Sequence, residues 1–315
     1  MTQDAPYFAD IANGPDGGRA FWLKTSDGVR VRMGSWPAAG PTAPKGTVLL
    51  FPGRTEYVEK YGPAAAELAQ RGYGTIAMDW RGQGLADRPS RDRMVGHVQD
   101  FAQYQTDVAA LLDQAEALNL PKPYYLIGHS MGGCIGLRAL LNGLDVRAAV
   151  FSAPMWGIRF SPGVQPVARM LSKAARLTRQ GQRYAPGTGP VTYVLSSGFD
   201  GNVLTRDPEI YAWMQSQLAA HPALALGGPG LQWLDEAIDE CTRLSALPSP
   251  RLPCLCFLGD AEKIVDPAPI HARMAQWPGG SLRLIPEAEH EIMMEVPATR
   301  QTFYTEATAL FDAAR

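Results

Sequence analysis

The chain reads as an α/β protein, a mostly parallel sheet of eight strands with helices on both faces and an inserted helical cap. Three observations predict it. Strand-type and helix-type segments alternate along most of the 315 residues, the pattern of a parallel sheet wrapped by crossover helices. The strand segments are short apolar runs without polar alternation, as a sheet buried on both faces requires. One long interval, 156–247, drops that rhythm and shows only helical patches broken by Gly and Pro.

Taken in order, segments 21–24 and 29–33 flank Asp27-Gly28, a hairpin signal at a sheet edge. Apolar runs follow at 47–51, 74–78, 124–127, 148–151, 252–258 and 282–285. Helical patterns fall between them at 57–71, 101–118, 131–141 and 267–276, and a last helix is expected over about 298–314. The expected organisation is a core of 1–155 and 248–315, with 156–247 as a helical cap or lid over the active end of the sheet.

Composition narrows the function classes. A net charge of -2 gives no general attraction to nucleic acid. The start, Met1 to Pro6, lacks the basic and apolar regions of a signal peptide, and no apolar run nears the roughly 18 residues of a membrane span. A cytoplasmic enzyme is expected. Cys134 lies on a helix, and Cys254 and Cys256 share a strand face. These spacings fit neither a zinc ligand pair nor a Cys-x-x-Cys redox motif, so buried thiols are expected, with no metal and no cofactor.

The most informative stretch is 124–133, where a strand-type run stops at Gly128-His129-Ser130-Met131-Gly132 and a helix follows at once. A bare Gly-x-Ser-x-Gly arises easily by chance in a chain with 32 glycines, so this context carries the inference. A sharp strand–turn–helix bend exposes the serine at the tip of the sheet, aimed at free N–H groups of a helix start. Ser130 is the expected nucleophile, which needs a histidine base and an acid to orient it, in the order Ser, acid, His. His290 follows the last strand and is the expected base. His221 falls in the cap and His271 inside a helix, where ordinary roles suffice; His97 precedes the nucleophile, and His129 fills the bend without needing a role. The acid is sought in 257–266, where Asp260, Glu262 and Asp266 compete and spacing alone does not separate them. Asp266, before Pro267, also looks like a helix N-cap. Two backbone donors are required for the developing oxyanion, and Met131 N–H and Arg54 N–H are expected to supply them. The Arg54 side chain reads as a solvated charge.

In five blocks the chain resembles the monoacylglycerol lipase and lysophospholipase branch of the α/β-hydrolases, the serine aminopeptidase S33 or hydrolase-4 type. The blocks are Pro52-Gly53-Arg54-Thr55-Glu56-Tyr57 with Lys60-Tyr61, Asp79 to Gly84, Gly128 to Gly133, Gly259 to Asp266, and Ala288 to Glu295. The resemblance implies Glu262 as the acid, where relatives usually hold Asp, with Asp260 as the alternative. Pro52 stands where the family has His, and Glu289 where it has Gly before the catalytic His. The resemblance also implies a monoacylglycerol- or lysophospholipid-type ester as substrate.

Within the cap, Arg169, Lys173 and Arg176 share one helical face, and Val167, Met170, Leu171, Ala174 and Leu177 form an apolar side. The plain reading is a solvated basic face with the apolar side packed on the core. The alternative is peripheral contact of the basic face with an anionic lipid surface. Trp213, Met214 and Trp233 are expected to line an acyl-chain site. The function expected is serine carboxylester hydrolysis. Other acyl transfers on the same triad (thioesterase, amidase, acyltransferase, perhydrolase) and a non-catalytic ligand receptor are the alternatives. Dehalogenase and epoxide hydrolase chemistry use a carboxylate at the bend, which Ser130 argues against.

Overall fold

A computed structural model describes residues 3–40, 43–161 and 163–315. Their strands form one sheet in the order β1-β2-β3-β5-β4-β6-β7-β8-β9, with β1 at Gln3–Ala5, β2 at Arg19–Lys24, β3 at Arg30–Trp36, β4 at Thr47–Phe51, β5 at Gly74–Asp79, β6 at Tyr124–His129, β7 at Ala149–Ser152, β8 at Cys254–Gly259 and β9 at Gly280–Ile285. The strands β1, β2, β3 and β5 pair antiparallel, and β5, β4, β6, β7, β8 and β9 pair parallel. The sheet therefore has nine strands rather than eight. The addition is β1, whose Gln-Asp-Ala carries no strand signal and is held by its pairing with Ala20–Trp22 of β2.

Every residue of β4, β5, β6 and β7 is buried, which explains their mainly apolar sequences. Within β4, Leu49 and Phe51 join one core while Val48 and Leu50 join the other, so alternate residues serve the two faces. Helices α2 (Gly62–Gln70), α3 (Tyr104–Ala117), α4 (Met131–Leu141), α9 (Pro267–Met274) and α10 (Pro297–Ala313) follow the expected pattern, after a short α1 at Ala9–Ala12. Between β7 and β8 lie α5 (Val164–Leu177), α6 (Tyr193–Ser196), α7 (Pro208–Ala220) and α8 (Leu231–Ser245). Among the described residues no helix is long and apolar enough to cross a membrane.

The connections after β4 and β6 diverge: β4 leads to β5 on one side, while β6 lies on the other. Such a divergence leaves a crevice at the carboxyl ends of the two strands, the usual ligand position in an open α/β sheet. Arg54 follows β4 and Ser130 follows β6, so both stand at that crevice.

Candidate active site

Ser130 sits at the bend between β6 and α4 with φ 48° and ψ −118°, a strained backbone for a residue with a Cβ. The strain is held by close packing. A Cβ on Gly132 would lie 2.0 Å from the Phe51 carbonyl oxygen, so the first turn of α4 presses directly on the end of β4. The Ser130 N–H donates to Ser152 O (3.1 Å) and Met155 N–H donates to Ser130 O (2.8 Å), which fixes the bend from the β7 side.

The loops after β8 and β9 bring Glu262 and His290 together. His290 Nδ1 lies 2.7 Å from Glu262 Oε2, and both residues are buried. The second oxygen, Oε1, accepts the N–H groups of Ile264 (2.6 Å) and Val265 (3.0 Å), so the carboxylate cannot swing away. Burial pushes the Glu262 pKa up, but the His290 ring and these donors bring it net below the ordinary glutamate value. Asp260 is exposed and elsewhere: its Oδ1 accepts from Glu287 N–H (2.5 Å). Asp266 caps α9, accepting from Ala268 N–H (3.0 Å). The left-handed residue of the β9 loop is Glu287 (φ 57°), so the turn does not depend on a glycine at position 289.

The loop after β4 is bonded at nearly every peptide. Trp80 Nε1 donates to Pro52 O (2.9 Å), Gln83 Nε2 to Gly53 O (2.8 Å), and Gly53 N–H to Glu56 Oε2. Thr55 N–H reaches Gln83 Oε1 at 3.4 Å. Among the described residues neither Arg54 N–H in this loop nor Met131 N–H after the bend has an acceptor. Two unbonded N–H groups beside a bent serine are what an oxyanion requires.

Ser130, His290, Met214 and Trp233 line one cavity of about 440 Å³, together with Leu218 and Leu234. Trp213 does not. One residue before Met214 on α7, it points about 100° away and donates Nε1–H to Ile11 O (3.1 Å). Helix α5 also differs from expectation. The small residues Ala168, Ser172 and Ala175 are its buried stripe, and at the edge of the basic face Arg169 pairs with Asp239 and Arg176 with Glu236 (2.6 Å) of α8, while Lys173 stays exposed. The apolar side of α5 faces solvent instead of core, with Met170 64% and Leu177 87% exposed. His221 stacks on Phe8 (3.7 Å between rings), and His271 is exposed on α9. The four cysteines are free and buried.

Sequence reasoning passed over a buried charge cluster behind the nucleophile. Lys60 Nζ donates to Glu56 Oε1 and Glu291 Oε1, both at 2.6 Å, and Tyr61 Oη donates to Glu56 Oε2. His129 Nε2 lies 3.6 Å from Glu56 and 3.4 Å from Glu291, while its Nδ1 lies 3.1 Å from Ser152 O. Glu56, His129 and Glu291 are close enough to hold a metal ion, but the Lys60 ammonium already bridges the two carboxylates. Burial pulls the His129 pKa down, and the two glutamates raise it net above the ordinary histidine value. The signal available in sequence was the pair Glu56 and Lys60 at i, i+4, with Glu291 next to His290.

Comparison with known proteins agrees with this architecture. Residues 42–297 match the family model for the hydrolase-4 type, serine aminopeptidase, S33. Lysophospholipase L2 of Escherichia coli K12 is 31% identical over 269 residues, covering 80% of this chain and 76% of that protein. A probable lysophospholipase L2 of Haemophilus influenzae is 28% identical over 256 residues, covering 81% and 80%. Among solved structures, a soluble variant of the Saccharomyces cerevisiae monoglyceride lipase superposes with a TM-score of 0.72 at 20% identity, covering 93% of this chain and 94% of that one. The chain belongs to the hydrolase-4 (serine aminopeptidase, S33) family and is an esterase- and lipase-like α/β-hydrolase enzyme.

Proposed function

We propose that the chain is a serine carboxylester hydrolase acting on lysophospholipid- or monoacylglycerol-type esters. The observation that carries this reading is the His290–Glu262 contact, with His290 lining the same cavity as the bent Ser130. Ser130 Oγ attacks the ester carbonyl carbon while its proton passes to His290 Nε2. Arg54 N–H and Met131 N–H receive the oxyanion. The tetrahedral species collapses as His290 returns the proton to the departing alcohol oxygen, leaving an acyl-serine. Water then repeats the sequence and frees the acid. Glu262 keeps the imidazole in the tautomer and orientation this shuttle needs, and stabilises the imidazolium. Ser130 Oγ makes no hydrogen bond among the described residues, and the shuttle requires it to reach His290 Nε2 in the substrate complex.

Residues 156–247 act as a cap over this site, and Met214 and Trp233 with their apolar neighbours receive the acyl chain. The exposed apolar side of α5, with Val167, Met170, Leu171 and Leu177, is the surface that meets lipid, and Lys173 and Arg179 add positive charge. Replacing Met170 and Leu177 by Asp is expected to weaken co-sedimentation with anionic phospholipid vesicles about tenfold or more, since two side chains of this size each gain roughly 1.5–3 kcal/mol on leaving water. Unchanged sedimentation removes the surface from the account.

Turnover of p-nitrophenyl esters from acetate to palmitate, with monoacylglycerol and lysophosphatidylcholine alongside, tests the substrate class. Rates rising with chain length are expected. Activity on acetate alone contradicts the lipid reading, and partition of the acyl group to added alcohol or amine favours a transferase.

A further inference from the structure

We infer that the Arg54 guanidinium binds the phosphate of the substrate head group, so that lysophospholipids are preferred over neutral monoacylglycerols. The inference rests on the ester-hydrolase reading above and adds the group that selects the head.

Arg54 lines the cavity that holds Ser130, but it is not a solvated charge. Its Nη2 donates to Gly227 O (2.7 Å), its guanidinium stands 5.1 Å from the Trp233 ring centre, and Nε is buried with no acceptor. Among the described residues it has no carboxylate partner. The other cationic side chain on the cavity wall, Lys60, has two. Burial alone depresses the Arg54 pKa to about 10, which still leaves the group charged at neutral pH. A desolvated cation without a counter-charge is costly unless something completes it. An oxyanion with several acceptor atoms suits the guanidinium fork better than a carbonyl does.

The seat is built for this side chain. A Cβ on Gly96 would come 2.4 Å from Arg54 Nη2, so only glycine lets the guanidinium lie there. The peptide N–H of the same residue is a proposed oxyanion donor. The guanidinium is therefore tethered within one side-chain length of the reacting carbonyl. In a lysophospholipid, the glycerol unit sets the phosphate at a comparable remove from the ester.

The test compares kcat/KM for lysophosphatidylcholine and monoacylglycerol of one acyl chain in wild type, Arg54→Gln and Arg54→Lys. The ratio of the two values cancels any common loss from disturbing the oxyanion loop. A charge-assisted hydrogen bond of about 1.5–3 kcal/mol predicts that the ratio falls ten- to hundred-fold in Arg54→Gln. Arg54→Lys, a point charge without the fork, is expected to keep an intermediate ratio. A ratio unchanged within about twofold overturns the inference and leaves Arg54 as a strap to Gly227. If wild type hydrolyses neither ester, the ester-hydrolase reading itself fails. Glycerol 3-phosphate is expected to compete with monoacylglycerol in wild type and to lose that effect in Arg54→Gln. Equal competition by inorganic phosphate would assign the seat to a free anion and overturn the head-group role.

Discussion

Replacing Ser130 by Ala is expected to lower ester turnover by roughly 10⁶-fold, to a residue supported by oxyanion binding alone. The fold should survive. Ser130 Oγ makes no hydrogen bond among the described residues, and Ala keeps the Cβ that the φ of 48° already accommodates. A Tm within about 2 °C of wild type, measured by thermal unfolding, is the expected companion result. Hydrolysis persisting in a folded Ser130→Ala protein would move the chemistry to another residue.

Lys60→Met is expected to be the most destabilising single change near the site. It leaves Glu56 and Glu291 buried without their shared cation, a loss of about 3–5 kcal/mol, or on the order of 10 °C in Tm. The pH dependence carries a sign. Burial raises the Glu291 pKa, but Lys60 and then His129 pull it well below the ordinary value. Its contribution is thus present above the unfolded glutamate value of about 4.3 and is lost as pH falls through the depressed one. Without Lys60, the largest of the lowering causes, that depression is reduced, so the deficit of the variant should be greatest near neutral pH and shrink on acidification. A deficit independent of pH would show that Lys60 acts through packing rather than charge. Because Glu56 also accepts the Gly53 N–H beside Arg54, a fall in kcat is expected in the folded variant.

Much of the fold was legible because buried parallel strands have little freedom of composition. The runs of β4 to β8 are mainly apolar, with their polar residues mostly at the strand ends, and the Gly-rich bend at Ser130 dictates where β6 stops and α4 begins. What escaped depends on partners far along the chain. The strand β1 exists because β2 offers an edge. The amphipathic sequence of α5 defines two faces, but neither is the one buried: Ala168, Ser172 and Ala175 between them are buried, and Asp239 and Glu236 on α8 hold Arg169 and Arg176 beside that stripe. On α7, the pair Trp213 and Met214 cannot both face the cavity, and the nearby Ile11 carbonyl claims the tryptophan. At the site, His290 was readable from its place after the last strand, while three carboxylates compete after β8 and Glu262 was reached only through the family resemblance; the Arg54 side chain and the Glu56–Lys60–Glu291 cluster required three-dimensional neighbours to acquire meaning.

The most direct test of the central claim is covalent labelling with a fluorophosphonate lipid ester analogue, followed by peptide mass mapping. The account predicts one adduct, on the peptide containing Ser130, absent from Ser130→Ala and formed in step with loss of esterase activity. Full esterase activity with no adduct on Ser130, or inactivation by an adduct on another residue, would contradict it.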